Sequence, residues 1–183
     1  MKSMSLIRRA GAFLIPLVLA FNAWAITPAL APGEIRQVTL GESMSKANSL
    51  YQEQATGLPK GQTVAVGVDR SVSRTGYVKF DGINQPAGKL YDAKGFGYRV
   101  DQNGRWADNT VSRKMQEKLV KQAERQLAAA RLANMTVEWR VPTQALRAAM
   151  QRLLGGKITV TVSPPSQEVL DALKGISSGS GSF

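Results

Sequence analysis

The sequence predicts an α/β domain, a mixed central β-sheet flanked by helices, with its elements in the order αβββαβαβ. Three observations lead there. Stretches with apolar residues at three- and four-residue steps, the mark of helices, are interspersed with short stretches of period two, the mark of strands. Three strand-like stretches in succession, joined by polar or Gly/Pro-bearing connectors, predict an antiparallel meander, and the two strand–helix crossovers that follow make the sheet mixed. The length of 183 residues, 43% of them hydrophobic, suffices for one domain with a substantial core.

The elements follow in chain order. Leu40, Met44, Ala47 and Tyr51 recur at helical spacing and stop at Gly57-Leu58-Pro59, which predicts a first helix of about four turns. Residues 63–68 place Val64, Val66 and Val68 on one face of a strand; residues 76–80 carry Tyr77, Val78 and Phe80; residues 89–94 carry Leu90 and Tyr91. A Gly-, Asp- and Asn-rich loop over residues 95–109 leads into the longest helix, expected over 111–133. Its Met115, Leu119, Ala123, Leu127 and Ala130 form an apolar stripe, with Arg113, Lys114, Lys118, Lys121, Arg125 and Arg131 on other faces. Residues 136–141 form a strand. A helix over 143–154 is capped by Thr143 and stopped by Gly155-Gly156, and residues 157–162 alternate as a last strand. The Ser/Gly-rich end, residues 176–183, is expected to be disordered.

The N-terminus has the composition of an export signal. Lys2, Arg8 and Arg9 precede an apolar run over residues 10–21, and Ala23-Trp24-Ala25 offers a small-x-small cleavage site, with a second at Ala29-Leu30-Ala31. The apolar run is short and interrupted by Gly11 and Pro16, so residues 1–25 are expected to be a signal peptide or apolar N-terminal segment, with no stable membrane span after processing. Residues 26–39, with Pro28, Pro32 and Gly33, are expected to be a linker into a domain spanning 40–175.

The chain holds no Cys and no His, and 24 Lys+Arg face 13 Asp+Glu for a net charge of +11. Ser/His/Asp and Cys/His triads and ordinary zinc sites are thereby excluded; catalysis would have to use carboxylates, Lys, Arg, hydroxyls or an oxygen-bound metal. Cleavage after Ala25 removes Lys2, Arg8 and Arg9 and no acid, so the charge falls only to +8. A surface of that sign suits a polyanion, nucleic acid or an anionic envelope polymer.

The candidate chemistry sits on the meander. Asp81 ends its second strand, and Asp92 and Lys94, two apart on the third, share a face. Two carboxylates converging near a Lys suit phosphodiester hydrolysis with Mg²⁺, or Mn²⁺: the carboxylates hold the ion, which polarises the phosphate and activates water, while the ammonium offsets developing charge. Gly95 and Gly97 would let backbone approach a phosphate. The simpler alternative is a surface Asp–Lys pair at a strand end. Tyr98, Arg99, Arg105 and Trp106 interleave cations with aromatics, as a nucleic-acid-contacting loop does, although a basic loop without a partner has the same composition.

Asp81 followed by Asp92-x-Lys94 on successive strands after a helix resembles the PD-(D/E)xK nuclease superfamily and its restriction-endonuclease-like fold. With Tyr51-Gln52, Thr56-Gly57-Leu58-Pro59, Phe80-Asp81-Gly82, Asp92-Ala93-Lys94-Gly95-Phe96-Gly97-Tyr98, Glu124-Arg125-Gln126 and Val137-Glu138-Trp139, the chain is similar over about residues 45–165 to the class-five restriction-endonuclease-fold toxin domain of bacterial polymorphic toxins. It departs from that pattern in having Asp92 for Glu and Phe96 for Pro in the lysine block, and Phe80 for the Pro of the superfamily name. The resemblance implies metal ligation by Asp81, Asp92 and the Ala93 carbonyl, with Lys94 the catalytic lysine. Glu53 on the first helix is a further metal candidate, and Gln122 or Gln126 on the long helix a phosphate or water holder, Gln126 the better placed; a solvated polar face is the alternative for each.

The function expected is a metal-dependent endodeoxyribonuclease, exported to the periplasm or secreted as an antibacterial toxin or effector. Its expected partners are DNA, an acidic immunity protein and a secretion-system carrier that delivers it into a target-cell cytoplasm. The competing class is a non-enzymatic exported binding protein, or an inactive nuclease fold, that holds DNA or an anionic envelope polymer.

Overall fold

The computed structural model describes residues 29–39 and 44–178. The expected signal segment over 1–25, the start of the linker, the first residues of the expected helix at Leu40 and the end of the Ser/Gly tail lie outside them. The described elements are β1 (Ile35–Thr39), α1 (Lys46–Thr56), β2 (Gln62–Gly67), β3 (Tyr77–Phe80), β4 (Gly82–Asn84), β5 (Lys89–Ala93), α2 (Thr110–Leu132), β6 (Thr136–Val141), α3 (Gln144–Leu154), β7 (Thr159–Val162) and α4 (Gln167–Ser178).

The strands form two sheets. β1, β2 and β3 are antiparallel; β4–β5–β6–β7 is mixed, antiparallel between β4 and β5 and parallel thereafter. Only Asp81 separates β3 from β4, so one bent strand passes between the sheets. The bend has a local cause: the Asp81 amide donates to the Tyr91 carbonyl at 2.8 Å and commits the chain to β5, while Gly82 crosses the end of α1 where a Cβ would stand 2.7 Å from the Thr56 Cβ. A bulkier residue at 82 would push β4 off the helix.

One apolar layer binds both sheets to α2 and α3. Val64, Val66, Phe80, Leu90, Val137, Trp139 and Val160 meet Leu119, Ala123, Leu146, Met150 and Leu154. A smaller cluster of Tyr51, Ala55 and Val169 joins α1 to α4. The caps read from sequence form: Thr143 accepts from the Leu146 amide at 3.2 Å, and Gly155 ends α3 in the left-handed region. Ser45 and Asn109 cap α1 and α2 in the same way.

Four expectations are corrected. The linker contains β1, whose Ile35 packs on the core. The first helix starts at Lys46, not Leu40, so it has three turns. Met115 of the expected stripe on α2 is exposed, and the stripe is completed instead by Gln126 and Ala129. A fourth helix, α4, covers α1 beyond the last strand and runs to Ser178, into the stretch expected to be disordered.

Candidate active site

Where β3 gives way to β4, the end of β5 opens onto a cavity of about 360 Å³. Its walls include Asp81, Asp92, Ala93, Lys94, Gln122 and Tyr98, and the polar side of α1 contributes Asn48 and Gln52. Each functional side chain is placed by an identifiable backbone bond. Asp81 is fixed by its amide bond to Tyr91 and by its Oδ2, which accepts from the Ala93 amide at 2.8 Å. Asp92 stands opposite Trp139 in the parallel β5–β6 register. Lys94 follows β5, its amide donating to the Arg140 carbonyl at 2.8 Å. The Phe96 amide donates to Asn48 Oδ1 at 2.8 Å, which ties the loop after Lys94 to α1. Gly95 is needed for that contact, because a Cβ there would collide with Asn48 Oδ1. Gly95 also lines the cavity.

Asp92 and Lys94 are both buried, 4% and 5% exposed, and form an ion pair through Asp92 Oδ2. Asp92 Oδ1 accepts from Gln126 Nε2 at 2.7 Å and from Gln122 Nε2 at 3.2 Å. Gln122 Oε1 in turn accepts from Lys94 Nζ at 2.8 Å, and Gln126 Oε1 accepts from Trp139 Nε1 at 2.7 Å. The Lys94 ammonium lies 4.4 Å from the centroid of the Trp139 ring, within the range of a cation–π attraction. Burial by itself would lower the Lys94 pKa. Asp92, with Tyr98 and Asp81 adding, more than offsets it and the net shift is upward, so Lys94 is held as the ammonium ion. Burial pushes the Tyr98 hydroxyl up, against the opposing effect of Lys94.

The structure therefore brings Asp81, Asp92, Ala93, Lys94 and Gln122 together. It does not bring Glu53, which is exposed; its neighbour Gln52 and Asn48 one turn earlier face the cavity instead. Gln126 is 0% exposed with both ends of its amide engaged, so it cannot hold a phosphate, and that capacity passes to the half-buried Gln122. Arg99 and Arg105 are exposed on a small closed hairpin, where Val100 pairs with Trp106, Asp101 Oδ1 accepts from the amides of Asn103 and Arg105, and Tyr98 meets Trp106 edge-on. Of that loop, Tyr98 reaches the cavity. Two contributors were missed from sequence: Asn48, whose four-residue spacing from Gln52 was the available signal, and Trp139, which by its apolar ring on a strand reads as core.

Among the described residues no three or more Asp or Glu gather into one cluster. The oxygen set is two carboxylates and the Ala93 carbonyl. Such a set fits Mg²⁺, which dehydrates reluctantly and keeps several waters while bound by one or two carboxylates. The absence of nitrogen and sulfur donors makes it a poor site for zinc.

No curated protein matches the chain. The family model of restriction endonuclease fold toxin 5 matches residues 48–144, from the first turn of α1 through β6, and takes in every side chain of the Asp92 network. Because that match covers more than half of the sequence and the two-sheet α/β architecture accords with it, the chain belongs to the restriction endonuclease fold toxin 5 family.

Proposed function

We propose that this protein is a Mg²⁺-dependent endonuclease that hydrolyses DNA phosphodiester bonds and acts as an exported antibacterial toxin. The observation that carries the reading is the Asp92 carboxylate, held between the Lys94 ammonium and two glutamine amides on the wall of a cavity that Asp81 shares. Asp81, Asp92 and the Ala93 carbonyl would hold Mg²⁺, or Mn²⁺ in its place. The ion would supply Lewis acidity toward the phosphate and a more acidic water.

The chain's own groups do the remaining work. Lys94, as an ammonium ion in a low-dielectric wall, offsets negative charge gathering on the phosphate oxygens. Gln122 bonds both Lys94 and Asp92 and so keeps the cation and the carboxylate in fixed relation. Gln126 and Trp139 set the rotamer of Asp92 from behind. DNA is the substrate the positive charge suits, and an acidic immunity partner would complement that charge.

Supercoiled plasmid incubated with the purified chain and Mg²⁺ should be nicked and linearised, and EDTA should stop it. Asp92→Ala and Lys94→Ala should each lower the rate at least about 100-fold. Intact plasmid, or cleavage indifferent to both substitutions, would sink the assignment. One observation favours the binding-only alternative: Asp92 is already paired with Lys94, as in a structural ion pair. Calorimetry separates the two, since the nuclease requires a Mg²⁺ or Mn²⁺ site that disappears in Asp81→Ala.

A further inference from the structure

Helix α2 segregates its charges about the catalytic wall. At about 100° per residue, Gln126, Gln122, Lys118, Arg125 and Lys114 follow one another round the helix from the core outward, with no acid among them. Lys118 and Arg125 lie four residues before and three after Gln122, the positions that neighbour it on a helix surface. The acids of this helix take the other flank, where Glu117 and Glu124 line a separate groove together with Arg113, Lys121 and Leu153 of α3. Lys114, Lys118 and Arg125 are all exposed, and among the described residues none makes an ion pair or a side-chain hydrogen bond. Three cations, unpaired among the described residues, beside a cavity whose Lys94 is neutralised by Asp92 form a surface complementary to a polyanion.

We infer that Lys114, Lys118 and Arg125 are the track on which a DNA duplex lays its phosphate backbone to bring one phosphodiester to Gln122 and Lys94. The inference rests on the nuclease reading and adds to it the surface that binds. From Lys114 to Arg125 the helix rises about 16 Å, which matches roughly five base pairs of duplex. The cations act as positioning residues: they touch phosphates away from the reacting one, carry no sequence information and make binding salt-dependent.

The test is fluorescence anisotropy of a labelled duplex oligonucleotide with the full chain in EDTA, where cleavage cannot occur, over a range of salt. Two variants with equal loss of charge are compared: Lys118→Gln/Arg125→Gln on the track, and Arg113→Gln/Arg131→Gln on the far flank. The track pair should weaken binding at least about ten-fold at 0.1 M salt and flatten the slope of log affinity against log salt by about 2, while the flank pair changes little. Equal effects of the two pairs would overturn the inference, because net charge alone would then explain binding. Tighter binding of an RNA duplex, retained by the track pair, would also overturn it. Plasmid cleavage with Mg²⁺ keeps the two readings apart. A wild type that cuts while the track pair binds and cuts normally removes the track and leaves the nuclease; a wild type that binds through the track without cutting removes the nuclease and leaves the track.

Discussion

Gln126 is a buried polar side chain whose amide bonds Asp92, Trp139 and the Lys79 carbonyl, and its replacement separates stability from geometry. Leucine is close to it in size but offers nothing to Trp139 Nε1, which would be left without a partner in the interior, and it leaves Asp92 Oδ1 with the longer Gln122 bond alone. Each orphaned buried group costs about 1–3 kcal/mol. Gln126→Leu should therefore lower stability to urea by about 1–3 kcal/mol and reduce cleavage even at temperatures where the variant is fully folded. Glu53→Gln serves as the counter-case: the side chain is exposed and outside the cavity, so stability and cleavage should both stay near wild type. A loss of cleavage in Glu53→Gln would show that α1 contributes an acid after all. These two residues also mark what sequence resolves at this scale. Glutamine and glutamate on a helix read alike as polar, and only the rotation of each helix against the sheet decides that Gln126 is interior and Glu53 is not.

Among the elements, β1 changes the boundary of the domain. Residues 29–34 lead into it along a path that the rest of the chain is shaped to accept: Gly67 has no Cβ where the Ala31 carbonyl passes, and Gly33, at φ 83°, abuts the Leu132 carbonyl at the end of α2. The Ala31 amide donates to the Glu34 carboxylate at 3.0 Å, and the Gly33 amide to the Gly67 carbonyl at 2.9 Å. A chain that begins at residue 40 loses β1, its whole register with β2 and the packing of Ile35, and should melt well below one that begins at residue 29. Gly67→Ala should cost about 1–3 kcal/mol by overpacking against backbone, whereas Gly57→Ala, with nothing near the added methyl, should pay only for its left-handed φ. Equal melting of the two truncations would make residues 29–39 the linker that their composition suggests. The sequence did specify β2, β3, β5, β6, β7, α2 and α3, because apolar residues concentrate there, at period-two spacing in β2, β6 and β7 and at helical spacing in α2 and α3. It hid β1, whose polar Arg36, Gln37 and Thr39 follow its one core residue; α4 was legible, because Val169, Leu173 and Ile176 recur at helical spacing, but it lies after Pro164-Pro165, beyond the last strand of the expected order.

For the molecule as a whole, one buried carboxylate at the centre of a second charge cluster decides how the mixed sheet responds to acid. Glu138 is 5% exposed, on the face of β6 opposite Trp139, and accepts from Lys89 Nζ on β5 at 2.9 Å, from Thr161 Oγ1 on β7 at 2.9 Å and from Arg140 Nε at 3.1 Å. Arg140 continues the link by donating to the Ala55 carbonyl of α1 and stacking 3.8 Å from the centroid of the Tyr91 ring. One carboxylate thus joins three strands and, through Arg140, a helix. Its burial alone would raise its pKa, but the bonds from Lys89, Thr161 and Arg140 outweigh that and hold it below its ordinary value of 4.5. The sign follows from linkage: a carboxyl whose pKa is lower in the folded than in the unfolded chain adds stability above the unfolded pKa, and that stability is lost as pH falls through the folded one. The urea midpoint should thus be flat from pH 7 to about 5 and fall below about pH 4.5. Glu138→Gln should be less stable at pH 7 by about 1 kcal/mol, because the partly exposed Lys89 and Arg140 lose their counter-charge, and should lose part of the acid dependence. If wild type and variant midpoints run parallel from pH 7 to pH 3, the carboxylate at 138 is not what acid removes.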